Sequence, residues 1–222
     1  MKYNDLAILL IGVLPFHAMA NDPNVLGHPS VTRVETNLGK GCRVSMSLPI
    51  SERSRIGNGG DPDAGLGGFR VEPIPKGWKF KSFQKLYFNL MCLDADKVFT
   101  KTGEASFDPQ TGSWKKDVER RIKSLGYKLS PLEYKDAYED FDKAIRVYNV
   151  EAVNAKGFAS TEDDTTGDEK NRVRHMGFCL INEPKALCGE GGVGYPTDSS
   201  KNDLTERVLE IIRTIEFLPD EE

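Results

Sequence analysis

The sequence predicts an α+β fold in which an antiparallel sheet is covered by helices. Three observations predict it. Short stretches of two-residue apolar alternation recur along the chain, helical apolar spacing occurs at two places, and the order runs strands, helix, strands, terminal helix. That segregation, without an internal repeat or βαβ alternation, favours antiparallel pairing.

Residues 1–20 read as a secretory signal peptide. Lys2 supplies a positive start, Leu6 to Phe16 is an apolar run, and Ala18-Met19-Ala20 is a small-x-small exit with cleavage after Ala20. The run is too short to span a bilayer as a stable helix, and no Cys follows the exit to carry a lipid. The expected mature chain, 21–222, is one domain long enough for a substantial core.

Residues 21–40 read as a leader with a short strand at Val31 to Val34. Cys42 to Pro49 is a strand, because Cys42, Val44, Met46 and Leu48 alternate with Arg43, Ser45 and Ser47. Residues 51–68 are rich in Gly, Asp, Arg and Ser and predict a surface loop turning at Gly59-Gly60-Asp61-Pro62. Phe69 to Pro75 alternates again, and Ser82 to Leu90 suits a helix or a strand.

Ser113 to Leu125 predicts a helix, with Ser113 as N-cap, Trp114, Val118, Arg121, Ile122 and Leu125 at helical spacing, and Gly126 as stop. Tyr127 to Tyr134 reads as a strand or an extended link. Ala144 to Val153 is a strand whose face of Arg146, Tyr148, Val150 and Ala152 is the apolar one. Residues 161–170 form an acidic loop without apolar anchors. Asn171 to Ile181 and Ala186 to Val193 read as paired strands. Asn202 or Asp203 caps a final helix, Leu204 to Ile215, with Leu204, Val208, Ile211, Ile212 and Ile215 as its buried stripe.

All four cysteines lie in the expected mature chain. In an oxidising compartment they predict two disulfides. Adjacent strands favour Cys179 with Cys188, which leaves Cys42 for Cys92. Metal-ligand spacing of the CxxC or HxxxH kind is missing from the sequence, so no metal and no cofactor is expected.

The formal net charge of −4 argues against nucleic acid or an anionic membrane as partner. The three Gly-rich stretches lack a Gly-Lys-Ser/Thr ending and read as turns. Placing Gly167 sixth in a calcium loop puts Val173 twelfth, where a Glu belongs. Nucleophilic chemistry has only His28 and His175 after processing, with no G-x-S-x-G elbow. No catalytic residue is therefore assigned and the chain is read as a non-enzyme. Recognition features remain. Trp78, Phe80, Phe83, Tyr87 and Phe88 cluster with Lys76, Lys79, Lys81 and Lys85. A second, acidic-aromatic stretch carries Tyr134, Asp136, Tyr138, Glu139 and Asp140; with Asp163 and Asp164 of the acidic loop it forms the candidate surface for a basic protein partner.

The strand Arg43 to Pro49, with the ending Phe178-Cys179-Leu180, Gly192-Val193-Gly194 and Leu209 to Phe217, resembles the Mog1/PsbP-like α/β/α sandwich. Within that group it is similar to Tli4-type periplasmic immunity proteins against type VI secretion lipase effectors. The resemblance implies a periplasmic protein, monomeric before capture, that binds and occludes a secreted effector enzyme. It gives no inhibitory residues. Alternatives are a periplasmic accessory or lipid-binding protein of the same fold, or a hydrolase whose site is assembled from scattered residues.

Overall fold

The computed structural model describes residues 30–51, 54–58, 65–78, 85–101, 103–126, 128–196 and 203–220. The signal-peptide reading, His28, the turn at 59–62, Phe80, Phe83 and Asn202 lie outside them.

Seven strands form one antiparallel sheet: β3 (Arg55–Asn58), β4 (Leu66–Val71), β5 (Leu86–Asp94), β8 (Ile145–Glu151), β9 (Lys156–Asp163), β10 (Arg174–Asn182) and β11 (Lys185–Gly194). Their order across the sheet is β3-β4-β5-β11-β10-β9-β8. A three-stranded sheet places β2 (Arg43–Pro49) between β1 (Val31–Asn37) and β12 (Glu216–Leu218), and β6 (Ala105–Asp108) pairs with β7 (Ser113–Lys116) as a hairpin. The helices are α1 (Ala95–Lys101), α2 (Val118–Ser124), α3 (Pro131–Ala144) and α4 (Thr205–Arg213).

Two-residue alternation decides the core. Phe69, Phe88, Phe178, Leu180, Leu187 and Val150 point to the inner face of the large sheet. They share one core with Val44, Met46 and Leu48 of β2, Phe217 of β12, and Val208, Leu209 and Ile212 of α4. The rings of Phe69 and Phe88 stack at 5.0 Å. A fully buried aliphatic side chain contributes roughly 1.5–3 kcal/mol, so the apolar stripe of α4 is what holds that helix down. Glycines make room for the rings. A Cβ on Gly191 would stand 2.7 Å from Phe88 Cδ2, and one on Gly189 would enter the ring of Phe178.

Two asparagines extend the ladders with side-chain amides. Asn154 accepts from Phe217 N at 2.9 Å and donates to Phe217 O at 2.8 Å, tying β12 to the β8–β9 turn. Asn149 does the same for Trp114 of β7, at 2.7 and 3.1 Å. Cys42 is bonded to Cys92, joining the small sheet to β5 across 6.1 Å between Cα atoms. Cys179 is bonded to Cys188, directly opposite in the β10–β11 register, with Cα atoms 4.0 Å apart. Two disulfides fit a chain that matures outside a reducing compartment. No helix among the described residues is long and apolar enough to cross a membrane.

Several expectations are corrected. The helices do not cover the sheet. Its inner face meets the small sheet and α4, and on its outer face α1 packs against β5, β10 and β11, the hairpin against β8 and α3 against β9, with α2 resting on α3. The helix expected from Ser113 is strand β7 as far as Lys116. Gly112, at φ 65°, turns the hairpin, Trp114 lies across from Phe107, and Asp117 starts α2 by accepting from Arg120 N at 2.9 Å. The extended link ends at Ser130, which caps α3 through a Ser-Pro-Leu-Glu box: Ser130 N donates to Glu133 at 2.7 Å and Glu133 N to Ser130 Oγ at 3.4 Å. The acidic loop starts later than 161, because β9 runs to Asp163 with Thr161 buried beneath it. The Gly-rich stretch 51–68 contains β3 and the start of β4, and Gly189 to Gly194 is strand, not turn.

Candidate functional site

The outer face of the large sheet carries the site. Register places Gly57, Gly68, Asn89, Glu190, Gly177, Ser160 and Val147 in one row across all seven strands. From Asn89 to Ser160 this row floors a trough, whereas over Gly68 the Tyr87 side chain fills the space. A Cβ on Gly177 would meet nothing nearer than Ser160 Oγ at 3.7 Å.

The trough has two compartments that share Asn89, Glu104, Ser160, Gly177 and Glu190. The larger, about 550 Å³, is apolar and lies over the neighbouring row of Leu66, Met91, Cys188, Cys179 and Phe158, with Val98 of α1 as a wall. The smaller, about 450 Å³, is polar and lies over His175 and Glu162, with Asp164 and Arg121 at its margin.

Charge is uneven along it. Arg121 of α2 holds Glu162 with two hydrogen bonds of 2.7 and 2.8 Å, and its guanidinium lies 5.1 Å from the ring centre of Phe141 on α3. His175 Nε2 stands 3.4 Å from Asp164 Oδ1. Glu104 and Glu190 have no such partner among the described residues. Burial pushes the Glu104 carboxyl above the usual carboxylate range, and the charges of Glu162 and Glu190 push it the same way against Arg121.

The residues singled out from sequence separate into three environments. Tyr134, Asp136, Tyr138, Glu139 and Asp140 are all exposed on α3, whose only buried residue is Ala144. Loss of some hydration raises the Tyr134 hydroxyl above its ordinary range, as do Glu119 and Tyr138, although the ring stays exposed. Asp163 is not on that surface. It accepts from Arg174 Nη2 at 2.8 Å and Arg146 Nη1 at 3.2 Å, while Arg174 Nη1 also reaches Asp203 at 2.5 Å. Burial raises the Asp163 carboxyl, but the two arginines outweigh it and hold it below the ordinary range. Asp203 in turn accepts from Thr205 N at 2.9 Å, so this network anchors the start of α4. Asp164 accepts from Val173 N at 2.9 Å and reaches the trough.

Sequence reasoning missed Glu104, Glu190, Ser160, Asn89 and Gly177. Of the aromatic-basic cluster, Trp78 and Phe88 are buried and Tyr87 is exposed. Comparison with protein-family models, with curated proteins and with solved structures finds no match to this chain.

Proposed function

We propose that this protein is an exported, non-catalytic binding protein of the immunity kind, which captures a secreted effector enzyme in the periplasm and blocks its active-site entrance. The observation that carries the reading is the open outer face: a trough lined by apolar side chains and carboxylates, continued through Arg121 and Phe141 to the exposed acidic-aromatic helix α3. The cross-linked sheet suits such a role because a rigid surface loses little entropy on binding. The resemblance to Tli4-type proteins names a type VI lipase effector as the partner class.

The test is co-expression with exported effector candidates, followed by pull-down from envelope extract and an effector activity assay. The expected result is survival of the cells, a stoichiometric complex and loss of effector activity. Capture of no exported toxic enzyme would refute it.

One observation favours a second reading, a hydrolase. The polar compartment brings Ser160, His175 and Asp164 to one cavity. No hydrogen bond joins Ser160 to His175 among the described residues, and His175 is well exposed, with a side-chain exposure of 59%. Turnover of ester or amide substrates that disappears in Ser160→Ala would replace the binding reading with this one.

A further inference from the structure

We infer that the trough seats one extended segment of the partner protein, carrying a bulky apolar side chain and, two residues further on, a lysine or arginine. The inference rests on the capture reading above and specifies what that site recognises.

The argument is one of spacing and charge. The row of Met91, Cys188, Cys179 and Phe158 is offset from the row of Asn89, Glu190, Gly177 and Ser160 by two residues along each strand. Two residues of strand span roughly 6.7 Å. An extended guest places side chains i and i+2 on one face at that same separation. One side chain therefore enters the apolar compartment while the next on that face stands beside Glu190 and Glu104. Those two carboxylates have no cation within ion-pair distance among the described residues, whereas Glu162 is already held by Arg121.

The guest therefore lies parallel to the host strands, and the floor beneath it is open at Gly177, where an added Cβ would make only ordinary contacts. Acidic residues also outnumber basic ones on α3 beyond Arg121, with Glu133, Asp136, Glu139, Asp140 and Asp142 against Lys135 and Lys143. A basic segment leaving the polar compartment therefore continues over like ground.

The test titrates the whole protein, by amide NMR, with three capped hexapeptides that differ at two positions: Leu-x-Arg, Leu-x-Glu and Ser-x-Arg in a Gly-Ser background. Saturable shifts are expected at Ser160, Gly177 and Glu190 with Leu-x-Arg, and binding about ten-fold weaker for each of the other two. Glu190→Gln, at an exposed position, should weaken Leu-x-Arg by a similar factor while leaving Leu-x-Glu no weaker. Gly177→Leu, checked for native near-UV circular dichroism, should abolish the shifts.

Equal binding of Leu-x-Arg and Leu-x-Glu, shifts confined to α3, or no saturable shift at about 10 mM peptide would overturn the inference. The two proposals fail separately. Effector capture that survives both Gly177→Leu and Glu190→Gln removes this inference and leaves the function. Peptide binding without capture of any effector does the reverse.

Discussion

Removing the two disulfides one at a time should have unequal effects, and the inequality follows from the topology. Cys42–Cys92 closes a loop with a sequence separation of 50. Cys179–Cys188 closes one with a separation of 9, a single hairpin. The chain-entropy relation assigns about 4 kcal/mol to the first loop and about 2.6 kcal/mol to the second. Packing losses are matched, because each pair has one buried member (Cys42, Cys179) and one half-buried member (Cys92, Cys188). The difference of about 1.5 kcal/mol therefore reads loop length. The assay is urea unfolding of Cys42→Ala/Cys92→Ala beside Cys179→Ala/Cys188→Ala. Free energies in water are compared rather than midpoints, because freeing the longer loop expands the unfolded chain and steepens m. Equal losses, or a larger loss for the hairpin pair, would refute the reasoning.

Glu104→Gln should stabilise the protein near neutral pH and not below about pH 4. The folded state raises this carboxyl, chiefly by burial, so its folded form holds the proton more tightly. Its contribution is fully present below the unfolded pKa and is lost as pH rises through the folded one; melting temperature against pH checks it. Arg174→Met should cost about 2–3 kcal/mol, below the figure for a fully buried pair because Arg174 keeps 16% side-chain exposure. The sign here is opposite. Asp163 is depressed, so the penalty holds above the ordinary Asp range and shrinks as pH falls through the folded value, visible in urea melts across acid pH. Asn154→Ala should cost about 1–2 kcal/mol, since both its amide bonds to Phe217 disappear. Hydrogen exchange at the Phe217 amide should accelerate with it.

Much of the fold is legible where one period dominates. Val44, Met46 and Leu48 alternate cleanly and become the buried face of β2. Val208, Ile211 and Ile212 form a helical stripe and become the buried face of α4. Residues 113–125 mislead because spacings of four and three suit both a continuous helix and a strand followed by a short helix. The turn at Gly112 and the cap at Asp117 decide the matter, and both are local signals. The box from Ser130 to Glu133 was equally readable. The trough was not. It exists only once the registers of β5, β11, β10 and β9 bring Asn89, Glu190, Gly177 and Ser160 side by side. Asp163 belongs with Arg174 and Asp203 for the same reason, since their pairing depends on where β9, β10 and the start of α4 meet.

Hydroxyl-radical footprinting of the captured complex tests the docking face most directly. Met91 in the trough and Tyr138 on α3 are open in the free protein, at 44% and 40% exposure, as are Ile50 and Val31 by the small sheet at 61% and 58%. Binding across the outer face should shield Met91 and Tyr138 and leave Ile50 and Val31 reactive. Shielding of the small-sheet pair with Met91 fully labelled would contradict the account.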